Sequence, residues 1–228
     1  MKLFRKLIKF LFIIILIGAS ICCIIGYSTY NQAEKEKPLL SRIEEITNKE
    51  NYTKIDDLSK NYVNAVIAAE DHRFYDHGAI DIIGIGRAVF NNIKAKELQE
   101  GGSTITQQVA KNVVFSQEVS ISRKLGELFA SFELEKNYGK DEILEIYVNT
   151  CYFGDGYYGI YDASYGYYKK SPKDLTLTEA AMLAGVPNAP SVYSPSVNPD
   201  LAKKRQKYVL NKMVEYGYIN EKDINSVL

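Results

Sequence analysis

The run from Phe10 to Ala33 carries no charge, and it constrains this chain more than any other feature. Its apolar centre, FLFIIILIGASICCIIGY, has 18 residues, long enough for a helix to cross the hydrocarbon layer of a bilayer. A helix apolar on every side needs lipid or a large core around it. The remaining sequence is sized for one domain. Lys2, Arg5, Lys6 and Lys9 precede the run, and the first acid is Glu34. That asymmetry puts the N-terminus in the cytoplasm and the rest outside. A cleaved signal peptide is the rival reading, but its apolar core would be shorter and no small-x-small site follows. Bulky Ile21 before Cys22 and Cys23 speaks against a lipoprotein box. The reading is a basic tail (1–9) and an uncleaved anchor (10–33) in the cell membrane.

Removing those four basic residues from 28 leaves 24 against 28 acids. No bulk basic footprint for nucleic acid exists, so any anion site is local. Cys151 is the one cysteine beyond the anchor, so the outer part has no internal disulfide. Two histidines and that cysteine speak against a zinc site.

Residues 34–54 are highly charged and read as a stalk with one short helix, not as core. Residues 55–228 read as the functional domain. Apolar spacing predicts helices in YVNAVIAAED, SISRKLGELFASFELEKNY, KDEILEIYVNTCYF, LTLTEAAMLAGVP and DLAKKRQKYVLNKMVEYGYI. Leu125, Leu128, Phe129 and Phe132 are expected to face inward. AIDIIGIGRAVFNNIKAKEL places Ile82, Ile85, Val89 and Ile93 on one stripe. Core burial is the expectation, with contact at the membrane surface as the alternative. Alternating patterns are scarce, so the fold class is mainly α. Eight tyrosines fall between Tyr147 and Tyr168; they read as packing, with a sugar-stacking wall as the alternative.

Three stretches carry chemistry. In EGGSTITQQVAKN, Thr104 and Gln107 form a capping-box pattern, so a helix starts near Ile105. Thr104, Gln107, Gln108 and Lys111 share its polar side. Gly101 and Gly102 let a ligand approach the backbone, and the free amides of the first turn favour an anion. A capped surface helix without a ligand explains Thr104 and Gln107, but not Gly-Gly-Ser or the paired glutamines. The spacing is not that of a P-loop. In AAEDHRFYDH, Glu70 and Asp71 end an apolar helix, where burial suits a carboxylate to act as a base. His77 reads more naturally as a hydrogen-bonding residue than as a catalyst. In SRKLGE, Arg123 and Glu127 stand four apart on one face. Carboxylates on different helices, with Lys and Arg between them, suit a reaction that deprotonates a hydroxyl and expels a phosphate.

Taken together, these stretches resemble the peptidoglycan glycosyltransferases of glycosyltransferase family 51, in their monofunctional membrane-anchored form. EDHRFYDH followed by Asp81 resembles the first motif, GGSTITQQVAKN the second, RKLGE the third, KDEILEIYVN the fourth and LTLTEAAMLAGVPNAPSVYSP the fifth. The resemblance spans about Ile55 to Pro195. It implies a lysozyme-like α fold with a smaller membrane-proximal lobe. It implies polymerisation of lipid II, with inversion and release of undecaprenyl pyrophosphate. Glu70 matches the general base, and Glu127 the second essential glutamate near the donor pyrophosphate. Lys111 and Arg123 match leaving-group stabilisers. Gly102, Ser103, Thr104, Gln107 and Gln108 match the substrate-contacting motif. A divalent cation, Mg or Mn, often assists this family; no organic cofactor is implied. Partners implied are lipid II, the growing glycan, the membrane and penicillin-binding transpeptidases.

Ala79 and Gly126 depart from the family pattern, which has glycine and a basic residue there. The loop from Phe115 to Ser122 lacks the cation that relatives often carry, so the leaving group would rest on Lys111, Arg123 and Lys124. The chain ends soon after the last motif, and a transpeptidase domain is not expected. Two rivals remain: a lysozyme-like hydrolase, which also uses two carboxylates, and a non-catalytic scaffold for wall enzymes.

Overall fold

The structure is a computed structural model that describes residues 2–95, 101–115 and 120–225. Its helices are α1 (Lys2–Glu36), α2 (Leu39–Thr47), α3 (Lys60–Glu70), α4 (Ile82–Ala95), α5 (Ile105–Val114) and α6 (Ile121–Asn137). There follow α7 (Lys140–Thr150), α8 (Ile160–Tyr168), α9 (Leu177–Gly185), α10 (Pro190–Tyr193), α11 (Pro199–Glu215) and α12 (Glu221–Asn225). Among the described residues there is no strand, only an isolated bridge between Tyr152 and Tyr158. The fold is thus the mainly α, lysozyme-like arrangement expected, behind an apolar helix long enough to cross a membrane.

Helix starts follow local chemistry. Thr104 and Thr176 each close a capping box, with Gln107 and Glu179. Ser59 and Ser120 cap α3 and α6 by accepting from Tyr62 N and Arg123 N. Each cap satisfies an amide that the helix leaves unpaired, a gain of about 1 kcal/mol. Helices α3, α9 and α11 pack on one another, and α5 packs against α6 and α7. Tyr62, Ile105, Leu144, Leu183 and Val209 fill the space between them and are fully buried. Cys151 lies in this core, and burial pushes its thiol up to about 12.

The outer segments differ from expectation in three places. Residues 34–54 are not a free stalk: Leu39 and Ile43 are buried in the core, and α2 packs against α5 and α7. Helix α2 is short and amphipathic, with Glu44 and Glu45 exposed away from its buried residues. On α4 the expected core stripe is turned outward. Ile82, Ile83, Phe90 and Ile93 are 64–80% exposed, while the small Gly84 and Ala88 face the protein. Val89 and residues 96–100 lie outside what is described. On α6 the buried line is Gly126, Glu127, Ala130, Ser131 and Leu134 rather than the large apolar residues. Phe132 is exposed, and Leu125 and Phe129 lie against α1 instead. Helix α6 packs against both α1 and α5, and its Leu125 and Phe129 are turned to the anchor rather than to the domain interior.

The α1–α6 contact is close because both helices present glycine. A Cβ on Gly26 would lie 2.8 Å from the Phe129 ring and 2.9 Å from the Leu125 carbonyl oxygen. A Cβ on Gly126 would lie 2.9 Å from the Phe115 ring and 3.1 Å from Thr29. Tyr27 packs edge-on to Phe129 at 5.9 Å. This accounts for the departure at Gly126, where a longer side chain has no room. Gly126→Leu is expected to destabilise the protein by about 1–3 kcal/mol through overpacking, despite a better helix propensity. Thermal unfolding in detergent checks this; an unchanged midpoint would mean that α1 does not pack there in solution.

Candidate active site

Glu70 is the last residue of α3, and its side chain is 7% exposed. A carboxylate at a helix C-terminus meets the negative end of the dipole, so outside donors must hold it. Gln108 Nε2, from α5, donates to its Oε2 at 2.8 Å. Arg205, from α11, places Nη2 3.5 Å from its Oε1. Glu127, on α6, is fully buried and matched by two cations. Lys124 Nζ lies 2.8 Å from its Oε2, and Arg123 Nε 3.0 Å from its Oε1. Lys124 also donates to Ser103 Oγ at 2.8 Å, which ties the Gly-Gly-Ser turn to α6.

Both glutamates line one cavity of about 260 Å³, together with Ser103, Gln108, Lys111 and Lys124. Lys111 is half-buried there and has no hydrogen-bond or ion-pair partner among the described residues. A larger cavity of about 690 Å³ adjoins it, sharing Gln108, Lys111, Pro187 and Asn188. Its remaining lining includes Asn112, Asn149, Tyr152 and Tyr158. The two tyrosine rings lie 4.6 Å apart. Tyr161 and Tyr165 form a second partly exposed pair on α8, whereas Tyr147 is core.

Several expected ligand contacts serve the fold instead. Thr104 is 2% exposed; it accepts from Gln107 N and donates to the Ala79 carbonyl. Gln107 accepts from Thr104 N through Oε1 and donates to the same Ala79 carbonyl through Nε2. Its two side-chain ends are thus spent inside the protein, although it borders the cavity. The first-turn amide of Ile105 is taken by Asp71 Oδ2 at 3.1 Å. The start of α5 thus carries one of the protein's own carboxylates. Gly101 borders the main cavity and Gly102 a small adjoining space. Neither has positive φ, and a Cβ on either would meet nothing closer than 3.6 Å. Ala79 is also free of positive φ, so it fills the usual glycine position without backbone strain. Of the loop lacking a cation, residues 116–119 lie outside what is described.

Asp71, His77 and Asp81 gather close enough to suggest a metal site. Their atoms are already engaged. His77 Nε2 lies 2.8 Å from Asp71 Oδ1, and Arg73 Nε donates to Asp81 Oδ2 at 3.1 Å. A guanidinium on one carboxylate and a backbone amide on the other do not fit a divalent cation, so this trio ties the first motif to α4 and α5. Burial pushes the Asp81 carboxyl up, but the Gly84 amide, Arg73 and His77 outweigh it and hold it below the usual range. A depressed folded value contributes stability that is present above the unfolded value and lost as pH falls through the folded one. Melting temperature should therefore fall below about pH 4, and less steeply in Asp81→Asn. An equally steep fall in that variant would place the acid sensitivity elsewhere.

Three contributors are absent from the sequence reading. Arg87 is the lone charge within the apolar part of α4; its Nη1 lies 2.7 Å from His72 Nε2, and His72 stacks on Tyr216 at 4.1 Å. Burial, then Arg87, holds the His72 imidazole below its ordinary value. Arg205 lies in a Lys-Lys-Arg run that reads as a solvated helix face. A charge isolated in an apolar helix was a usable signal for Arg87; no such signal marked His72 or Arg205.

Much of this sequence is shared with known proteins. The family described as "Transglycosylase" matches residues 36–214. Penicillin-binding protein 1A of Neisseria flavescens is 53% identical over 168 residues, covering 74% of this chain and 21% of that protein. Penicillin-binding protein 1F of Bacillus subtilis (strain 168) is 47% identical over 169 residues, covering 74% of this chain and 24% of that protein. The chain thus spans between a fifth and a quarter of the length of these relatives.

Proposed function

The chain belongs to the transglycosylase family, and on that premise we propose that it polymerises lipid II into peptidoglycan strands with release of undecaprenyl pyrophosphate. The observation that carries this reading is Lys111: a half-buried ammonium with no ion-pair partner among the described residues, in the cavity that holds Glu70. Such a cation is compensated when an anionic substrate group arrives.

Glu70 accepts the proton of the acceptor's 4-hydroxyl. The freed oxygen attacks the donor's anomeric carbon, and the bond to pyrophosphate breaks with inversion. Charge that develops on the leaving oxygens meets Lys111, with Lys124 beside it. Glu127 fixes Lys124 and Arg123 from beneath, so that both cations hold their places before substrate binds. The adjoining cavity sets a tyrosine pair and the amides of Asn112 and Asn149 beside Lys49 and Lys111, so it offers flat rings and hydrogen-bonding groups to a sugar. The exposed isoleucines of α4 add an apolar surface to the catalytic domain, suited to a bilayer in which both substrates carry lipid tails. The four N-terminal cations orient the catalytic domain outward. Transpeptidases that cross-link finished strands would act on the product.

Incubation with lipid II in detergent separates this reading from its rivals. Glycan chains that grow with time support it. Cleavage of finished wall glycan, with no polymer made, would instead identify a hydrolase. Binding to wall enzymes without turnover would identify a scaffold.

A further inference from the structure

Arg205 reaches Glu70 across 135 positions of sequence. Both side chains are nearly buried, at 12% and 7% exposure. A buried pair of this kind adds little net stability, and at 3.5 Å the contact is at the long limit of a hydrogen bond. The guanidinium is held mainly by other groups. It lies over the Tyr208 ring at 4.6 Å and near Tyr193 at 5.7 Å. Its Nε donates to the Gly185 carbonyl at 3.4 Å. Gly185 leaves room for its stem, since a Cβ there would lie 2.9 Å from Arg205 Cγ. The two oxygens of Glu70 are therefore unlike. Oε2 is committed to Gln108 at 2.8 Å, and Oε1 faces a cation only at the long limit of a hydrogen bond.

We propose that Arg205 is a positioning residue for the polymerisation: it fixes the Glu70 carboxylate so that Oε1 receives the acceptor's proton. This rests on the functional reading given above. The rigid, stacked guanidinium aligns the carboxylate plane and remains as a counter-charge when a hydroxyl enters beside Oε1. A lysine cannot stack on Tyr208, bond Gly185 and face Glu70 at once.

The test uses the full chain in detergent with lipid II. Arg205→Lys is expected to lower kcat by about ten- to a hundredfold, since small misplacements of a reacting group are that costly. KM and melting temperature should stay close to wild type. Arg205→Ala should lose more and regain part of its rate when guanidinium, but not ammonium, is added. Gly185→Ala, which crowds the arginine stem, should show a milder loss of the same kind. Wild-type kcat in Arg205→Lys, or an Arg205→Ala loss that guanidinium does not relieve, would overturn the role while leaving polymerisation intact. A wild-type protein that makes no polymer overturns both.

Discussion

Glu70→Gln is expected to fold normally and to lose polymer formation by about a thousandfold, within the range measured for general-base removal. The substitution keeps the size of the side chain at the end of α3. It removes the only feature the reaction needs there, an oxygen able to take a proton. It also sets one amide against the Gln108 donor and leaves Arg205 without its counter-charge. The loss should therefore appear in kcat, with substrate binding little changed. Initial rates with lipid II, set beside melting curves for both proteins, decide the matter. A rate within tenfold of wild type would remove Glu70 from the chemistry.

Lys111→Ala should lower turnover by about a hundred- to a thousandfold, the range for removing one preorganised charge-stabilising group. The protein should not be weakened by it. Lys111 has no partner among the described residues, so no carboxylate is orphaned. Alanine also favours a helix interior at least as well as lysine. Loss of activity with an unchanged melting temperature would assign the ammonium to the substrate. Near-wild-type turnover would move the leaving group to Lys124 and Arg123.

The sequence was most legible where the physics is local. Thr104 with Gln107 announces a helix start because a cap acts within four residues. The apolar run of α1 needs nothing beyond its own composition. The glutamates and Lys111 stood out because the motifs that carry them are short and ordered. Legibility fell where the environment decides. The isoleucines of α4 have the pattern of a core helix, and pattern alone cannot tell protein from lipid as the apolar partner. Helix α6 has two apolar neighbours, α1 and α5, so its largest side chains did not mark the domain interior. Asp71 at the start of α5 and Arg205 beside Glu70 are tertiary contacts between elements far apart in sequence. A further tertiary contact, the Ala79 carbonyl, takes up Thr104 and Gln107, while Lys111 has no partner among the described residues.

The proposed reaction is a single displacement in which Glu70 activates the acceptor and the cavity's cations receive pyrophosphate. Its most direct test is the anomeric configuration of the new linkage, read by NMR on polymer made from lipid II by the purified chain. A one-step attack requires the configuration opposite to that of the donor at every new bond, with one lipid pyrophosphate released for each. Retained configuration, or release of free sugar ends in place of new linkages, would contradict it.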